Sequence, residues 1–302
     1  MNNSTKIALL GSGSWATAIA KILHISLDSL VWYIREPEII EGIRKHKSNP
    51  LYVSDIKFAS EKLIITNDVN EAISQADILI FCVPSKFIIS LCDTITEPLK
   101  NKHIVTAIKG IEPESNKIIS TYLEDRFSIP KEQVAVISGP CHAEEVALER
   151  LSYLTIGSPN YDFAAHIAEI MNVWFIKTCV SNDIVGIEYS AVLKNIMALA
   201  TGISHGLGYG DNFTSVLISN AIQEMKRFLD TVEPTNRDIN DSVYLGDLLV
   251  TAYSQFSRNR TFGMMIGKGY TVKSAELEMN MIAEGYYGVN CIHAINEQYN
   301  VD

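Results

Sequence analysis

Short apolar runs recur through the first 180 or so residues of the chain, and polar or amphipathic segments separate them. Strands are predicted at positions 7–10, 30–33, 63–65, 78–83, 104–108, 134–137, 154–156 and 174–176. Helices are predicted between them at positions 69–74, 88–96, 117–127, 142–149 and 163–171. Apolar strands that alternate with crossover helices predict a mostly parallel, doubly wound sheet covered on both faces, over residues 1–182.

The pattern changes near residue 182. Residues 184–201 are predicted to form one long helix that is apolar nearly all round, which is typical of a helix in the middle of a domain. Four glycines within 202–210 are predicted to end this helix, and a second, amphipathic helix is predicted around 216–229. No strong strand signal follows, so residues 183–302 are predicted to form an all-α C-terminal domain.

The first strand leads into the glycine loop, G-S-G-S-W-A at positions 11–16, and then into an apolar helix. This order is the dinucleotide-binding fingerprint in its G-x-G-x-x-A form. Gly11 permits a tight turn, Gly13 lets the backbone approach a pyrophosphate, and N–H groups at the helix start face the anion. Glycines also end strands for structural reasons alone, but the flanking strand and helix favour a Rossmann-type domain that binds NAD or NADP.

The second strand ends in Trp32-Tyr33-Ile34-Arg35-Glu36. An acid near the end of this strand binds the ribose hydroxyls in the NAD fingerprint, whereas an arginine accommodates the 2′-phosphate of NADP. Arg35 could hold the phosphate and Glu36 could hold the hydroxyl. An Arg–Glu ion pair in a solvated turn is an equally good interpretation. The sequence leaves NAD and NADP both open.

The composition and net charge of the chain argue against several classes of function. The chain has 302 residues and a net charge of −10, which argues against general nucleic-acid or anionic-membrane binding. Its five cysteines are widely spaced and include no C-x-x-C pair, so neither a disulfide framework nor a metal site is expected. With no signal-peptide pattern and no apolar run near membrane-spanning length, we expect a cytoplasmic protein without membrane insertion.

Two groups of residues could carry chemistry in the helical part. Lys194 and Asn195 stand near the middle of the apolar helix, where an ammonium without partners is costly to bury. Either the lysine head reaches solvent, or the lysine is a proton donor or acceptor in a cleft. Burial and neighbouring positive charge would lower its pKa, whereas a carboxylate would raise it.

The second group lies at residues 246–260. Asp247 precedes a helical run, so it could be an N-cap residue. Arg258 and Asn259 are predicted to lie in a polar loop next to Ser257, where a guanidinium suits bidentate phosphate binding. A solvated basic loop is the alternative. In parallel sheets ligands lie beyond the carboxyl ends of the strands, where residues 84–85, 109–110 and 138–141 fall.

These motifs together resemble the bacterial type of NAD(P)-dependent glycerol-3-phosphate dehydrogenase. The resemblance covers nearly all of the chain and depends most on the joint spacing of K-G (109–110), S-G-P (138–140), K-N (194–195), G-D-L (246–248) and S-R-N-R (257–260). It implies that dihydroxyacetone phosphate is reduced to sn-glycerol 3-phosphate by hydride from the nicotinamide, for glycerophospholipid synthesis. A homodimer is the family expectation.

The resemblance also implies roles for individual residues. Lys194 matches the catalytic acid/base, which would protonate the developing C2 alkoxide. The substrate-contacting positions are Lys109, Gly139, Cys141, Lys194, Asp247, Ser257, Arg258 and Asn259. The cofactor-contacting positions are Gly11, Gly13, Ser14, Trp15, Arg35, Lys109, Ala143, Arg258, Ile282 and Glu284. The family commonly has Thr where this chain has Cys141, and losing that hydroxyl weakens a polar contact.

Two other functions stay open. Ketopantoate-type and hydroxyacid reductases share the two-domain plan and also use a buried lysine and asparagine, but S-R-N-R favours a substrate that bears a phosphate. A catalytically silent NAD(P) sensor would keep the glycine loop. The joint presence of Lys194, Asp247 and Arg258 weighs against a sensor.

Overall fold

The structure is a computed structural model that describes residues 5–279 and 282–301. The chain forms two compact units. The first unit consists of Met1–Ile108, Ser120–Ile137 and Cys141–Ile184, and the second consists of Lys109–Ile119, Ser138–Pro140 and Val185–Asp302. Residues 109–119 and 138–140 therefore group with the second unit, although their position in the sequence predicts the first domain.

A sheet of eight strands forms the centre of the first unit, in the order β3-β2-β1-β4-β5-β6-β7-β8. The strands are β1 (Ile7–Leu10), β2 (Leu30–Tyr33), β3 (Leu63–Thr66), β4 (Ile78–Phe81), β5 (His103–Thr106), β6 (Val134–Ser138), β7 (Ser152–Gly157) and β8 (Ile176–Ser181). In the parallel central register, Leu9 lies opposite Trp32 on one side and Ile80 on the other. The predicted doubly wound, mostly parallel sheet is confirmed. The strand order reverses at β1, where such folds bind their ligands.

Seven α-helices connect the described strands: α1 (Ser14–Ser26), α2 (Pro37–His46), α3 (Val69–Ser74), α4 (Ile88–Asp93), α5 (Ile119–Phe127), α6 (Ala143–Ala147) and α7 (Tyr161–Met171). Side-chain caps begin two of them. The Asp68 carboxylate accepts from the first N–H groups of α3, and the Asn160 side chain accepts from the backbone of Phe163 in α7. Strands β1, β2 and β4 are buried at every position, which places them at the centre of the core.

One helix of the first unit was not predicted, and one strand was predicted in the wrong place. No helix was predicted at α2, although Pro37 stands in its first turn and its isoleucines are buried. The last strand was predicted at 174–176 but runs over Ile176–Ser181. Trp174 is 63% exposed and precedes the strand. Because β8 is an edge strand with half-exposed polar positions, the apolar run marked only its beginning.

From residue 185 onward, the described residues form helices and no strand, so the predicted all-α C-terminal part is confirmed. The helices are α8 (Ile184–Gly206), α9 (Asp211–Val232), α10 (Asp247–Tyr253), α11 (Arg258–Gly267), α12 (Val272–Glu278) and α13 (Glu284–Tyr299). The earlier segment 109–119 adds a short antiparallel bridge between Ile111 and Ile118.

Helix α8 continues past its predicted end at 201 to Gly206, because its glycines serve packing and do not break it. A Cβ atom on Gly202 would lie 2.1 Å from the carbonyl oxygen of Arg260 in α11. A Cβ atom on Gly263 of α11 would lie 2.1 Å from the carbonyl oxygen of Leu199 in α8. The two helices therefore approach each other backbone to backbone.

The extended α8 also corrects the prediction about membrane-spanning length. With 23 residues, it is long and apolar enough to cross a membrane by length and composition alone. Of its most apolar 18-residue window, 78% is buried inside the structure, as in the core helix of a globular unit.

Candidate active site

The glycine loop connects β1 to α1 in the geometry that a dinucleotide needs. Gly11 has a φ of +132°, and a Cβ atom on it would lie 2.1 Å from the carbonyl oxygen of Cys82. Gly13 precedes the first residue of α1, and a Cβ atom on it would meet nothing within 4 Å. The backbone at Gly13 and the N-terminus of α1 are therefore open to an anion. These residues fit a pyrophosphate.

A buried asparagine holds the glycine loop in place. The Asn49 amide nitrogen donates to the carbonyl oxygen of Ser12 at 2.9 Å and to Oγ1 of Thr17 at 2.8 Å. Its amide oxygen accepts from the backbone N–H groups of Leu51 and Tyr52 at 3.0 and 3.1 Å. Asn49 is fully buried. Sequence reasoning missed this residue because a lone asparagine before a proline forms no motif.

Arg35 and Glu36 form the ion pair that was one of the two interpretations of this turn. The Arg35 guanidinium donates from Nε and Nη2 to Oε1 of Glu36 at 3.2 and 3.0 Å. The other carboxylate oxygen of Glu36 accepts from the Ser12 hydroxyl at 2.5 Å. The Arg35 side chain is 65% exposed, and the Glu36 side chain is 27% exposed. The acid therefore contacts the glycine loop directly, and the arginine reaches solvent.

The remaining first-unit positions lie at helix starts or, for Cys141, two residues before one. Ser14 and Trp15 begin α1, and Ala143 begins α6. Cys141 and Ala143 are buried in the hydrophobic core of the first unit. Their contacts with substrate and cofactor stay predictions.

In the second unit, α8 presents Lys194 to a carboxylate in the interior. The Nζ atom of Lys194 donates to Oδ1 of Asp247 at 2.5 Å, and the two side chains are 5% and 1% exposed. Asp247 is the first residue of α10, and Gly246 stands at the N-cap position. The interpretation of Asp247 as an N-cap is therefore wrong, and so is the interpretation in which the Lys194 head reaches solvent.

Lys109 approaches the same carboxylate from the other oxygen. Its Nζ atom lies 3.8 Å from Oδ2 of Asp247 and donates to the carbonyl oxygen of Gly139 at 3.3 Å. The side-chain amide of Asn195 donates to the carbonyl oxygen of Lys109 at 3.4 Å. Oδ2 of Asp247 is buried and accepts no hydrogen bond from the described residues. The Asp247 carboxylate thus faces the ammonium groups of Lys194 and Lys109, and its Oδ2 atom can still accept a hydrogen bond from a ligand.

Burial decides the protonation of Lys194. Desolvation is the largest effect on the pKa of its ammonium, which is lowered overall from 10.5 to about 7. The Asp247 carboxylate acts in the opposite direction and raises the pKa, whereas the charge of Lys109 lowers it. A lysine with a pKa near 7 can gain and lose a proton at neutral pH, as a general acid must.

Arg258 and Asn259 do not lie in a polar loop, contrary to the prediction, because they belong to α11. Ser257 is the N-cap of α11, and its hydroxyl oxygen accepts from the backbone of Arg260 at 3.3 Å. Arg258 and Asn259 form the first turn. The serine before a run of helical spacing was itself a start signal, but the basic residues around it suggested a loop.

The start of α13 packs against the lysine-bearing turn of α8. The Oδ1 atom of Asn259 accepts from the backbone N–H of Gly285 at 2.8 Å. A Cβ atom on Gly285 would lie 2.4 Å from the carbonyl oxygen of Asn195. Glu284 is the first residue of α13, and Ile282 lies half-buried two residues earlier. Gly285 was missed as a positioning residue, because it acts through a backbone contact with a distant helix.

A buried glutamate orders the segment that carries Lys109. Glu112 is 1% exposed, and its carboxylate oxygens accept from the backbone N–H groups of Glu114 and Ser115, each at 2.7 Å. The backbone N–H of Glu112 also donates to the carbonyl oxygen of Lys117 across the loop.

Within the described residues, no three His, Cys, Asp or Glu side chains group as metal ligands would.

A glycine loop at the strand reversal of a doubly wound sheet, together with a buried lysine in a helical unit, defines a nicotinamide-dependent dehydrogenase. Known families identify it more closely. The family model described as NAD-dependent glycerol-3-phosphate dehydrogenase N-terminus matches residues 6–164, and the C-terminus model matches residues 183–302. The chain belongs to the NAD-dependent glycerol-3-phosphate dehydrogenase family.

Relatives along the whole chain support this assignment. The glycerol-3-phosphate dehydrogenase (NAD(P)+) of Oceanobacillus iheyensis is 34% identical over 298 residues, which cover 98% of this chain and 86% of the relative. That of Fusobacterium nucleatum is 33% identical over 98% of this chain and 89% of the relative. The crystal structure of glycerol-3-phosphate dehydrogenase from Coxiella burnetii superposes with a TM-score of 0.90 at 27% identity, covering 99% of this chain and 91% of that chain. The predicted family, enzyme class and NAD or NADP cofactor are confirmed.

Proposed function

We propose that this chain reduces dihydroxyacetone phosphate to sn-glycerol 3-phosphate with NADH or NADPH, for glycerophospholipid synthesis. The buried pair of Lys194 and Asp247 in a member of this family carries the proposal. NAD(P)H, when bound, supplies the hydride. The residues of the chain supply a proton and hold the substrate.

Lys194 is the proton donor in this proposal. As the carbonyl carbon at C2 accepts hydride, its oxygen gains negative charge and takes a proton from the Lys194 ammonium. A pKa of about 7 keeps a large fraction of the ammonium protonated at neutral pH while making the proton easy to transfer. Asp247 fixes the orientation of the ammonium through the 2.5 Å hydrogen bond.

The substrate phosphate needs local positive charge, because the chain as a whole carries a net charge of −10. Lys109 is proposed to balance part of the phosphate charge, and Arg258 to bind the phosphate oxygens. The open acceptor Oδ2 of Asp247 suits a substrate hydroxyl. Gly139, Cys141, Ser257 and Asn259 are proposed as further contacts to the substrate.

The test is turnover by the purified chain. Absorbance of NAD(P)H is expected to fall when dihydroxyacetone phosphate is added. Replacing Lys194 with alanine is expected to lower kcat about 10²–10⁴-fold, because the general acid is lost. Binding of NADH should survive in this variant. Lys273→Ala, on the exposed face of α12, is the matched control and should keep wild-type turnover.

Two results would replace the proposal. Turnover of ketopantoate without turnover of the triose phosphate would make the chain a ketopantoate-type reductase. Cofactor binding without turnover of either ketone would make it a sensor.

A homodimer in the cytoplasm that binds neither nucleic acid nor membranes is part of the proposal. None of the five cysteines, all of which lie in the described part of the chain, forms a disulfide, which suits a reducing compartment. Light scattering after size-exclusion chromatography would test the dimer, with a mass of twice 33.6 kDa expected and a single-chain mass contradicting it.

A further inference from the structure

We infer that Glu36, held against the glycine loop by Ser12 and paired with Arg35, makes this chain bind NADH in preference to NADPH. The inference rests on the cofactor use in the proposed function and names which of the two cofactors the site selects.

The position of the carboxylate is the first argument. Glu36 is the N-cap residue of α2 and follows the end of β2, the strand beside β1. Its Oε2 atom accepts the hydrogen of the Ser12 hydroxyl at 2.5 Å, so the carboxylate is fixed on the loop. In dinucleotide folds the adenosine ribose lies at this strand end, where an acid binds the 2′-hydroxyl. Glu36 occupies that place.

The charge of the carboxylate is the second argument. A phosphate monoester carries about −1.5 to −2 charges at pH 7, whereas a hydroxyl carries none. The Glu36 side chain is only 27% exposed, so water screens its charge incompletely. A 2′-phosphate would stand beside this negative charge, but a 2′-hydroxyl would donate a hydrogen bond to it.

Arg35 does not offset this repulsion. Two of its guanidinium donors, Nε and Nη2, are directed at Oε1 of Glu36, and the salt bridge measures 3.0 Å. To bind a 2′-phosphate bidentately, Arg35 would have to leave the acid and expose its charge to the phosphate.

The neighbouring charges are mixed. Asp68 is a second acid near the end of β2, because its charge acts on Tyr33, the last residue of that strand. Burial raises the pKa of the Tyr33 hydroxyl, and the charges of Glu36 and Asp68 raise it further. The charge of Arg35 lowers it. Lys86 is a competing cation, since its Nζ atom lies 4.9 Å from the centroid of the Phe87 ring, over which Arg35 also lies. Lys86 is unchanged in the variants below, so they isolate the effect of Glu36.

Dissociation constants for NADH and NADPH, measured by fluorescence titration without substrate, test the inference. Wild-type protein is expected to bind NADH more tightly. Glu36→Gln keeps the size of the side chain and removes its charge, so the Kd for NADPH is expected to fall about tenfold or more relative to that for NADH. Glu38→Gln, an exposed acid on the first turn of α2, is the matched control and should leave the ratio unchanged.

A double variant assigns the gain to Arg35. With Arg35→Gln in the Glu36→Gln background, much of the NADPH gain is expected to disappear, because the released guanidinium binds the phosphate. Wild-type protein that binds NADPH as tightly as NADH would overturn the inference, even without a folded variant. Equal weakening of both cofactors in Glu36→Gln would show a structural role and overturn it too. Because no ketone is present, failure of the proposed reaction would leave these outcomes unchanged.

Discussion

The ammonium of Lys194 has lost almost all contact with water and retains one carboxylate in return. Desolvation is the larger of the two opposing effects, and for that reason the pKa falls to about 7 although Asp247 raises it. The second ammonium of Lys109 acts in the same direction as burial. A residue that would otherwise stay protonated at neutral pH becomes able to exchange its proton there because of its surroundings.

Asn49 contributes by positioning other residues, since its side chain donates a hydrogen bond to the backbone of the glycine loop. Its two donors and its acceptor oxygen are all used inside the first unit. The peptide between Ser12 and Gly13 is thereby fixed in one orientation.

We predict that Asn49→Ala weakens NADH binding and lowers the free energy of unfolding by about 1–3 kcal/mol, because the buried hydrogen bond to Thr17 and the bond to the carbonyl of Ser12 are lost. Urea denaturation measures the stability, and fluorescence titration measures the affinity. Asn67→Ala, at an exposed position before α3, should change neither. An unchanged NADH affinity in a destabilised Asn49→Ala protein would restrict the residue to a structural role.

At the scale of elements, the contact between α8 and α11 depends on glycines. Gly202 and Gly206 of α8 face Gly263 and Gly267 of α11, and a Cβ atom on any of them would lie within 2.4 Å of a carbonyl oxygen. Because α11 begins with the residues proposed to bind substrate, this contact also positions their turn.

Gly263→Ala is predicted to lower the free energy of unfolding by about 1–3 kcal/mol, because the new methyl group meets the backbone of Leu199. Alanine has the higher helix propensity by about 1 kcal/mol, so propensity alone predicts the opposite sign. Urea denaturation of the Gly263→Ala protein shows whether the steric effect or the helix propensity is the larger. Gly246→Ala, where the backbone is helical and a Cβ atom would make only ordinary contacts at 3.5 and 3.7 Å, should not lower stability. A stabilised Gly263→Ala protein would show that α11 moves away freely.

How far the sequence predicted these elements depends on whether the signal is local. The β1–loop–α1 unit carries its own pattern, and its order of strand, glycine loop and helix was predicted. The end of α8 was not, because glycine breaks an isolated helix but permits close packing in a folded one. Lys194 was recognisable as a polar residue in an apolar helix. Asn49, Glu112 and Gly285 act through distant backbone contacts that no local motif shows.

At the scale of the whole molecule, the proposed reaction uses both units. The first unit holds the glycine loop, and the second holds Lys109, Lys194 and Asp247. The family match extends over both units, which is why one activity can be proposed for the chain. The net charge of −10 makes the few local cations the expected sites for a phosphorylated substrate.

The pH dependence of kcat/KM for reduction of dihydroxyacetone phosphate tests the account most directly, because it reports ionisation in the free enzyme. Reduction needs protonated Lys194, so the rate should fall as pH rises through a midpoint near 7. In Asp247→Asn, which removes the charge that raises this pKa, the midpoint should move to lower pH. Asp241→Asn, an exposed acid, should leave it in place. A wild-type midpoint near 10.5, or one that Asp247→Asn does not move, would contradict the account.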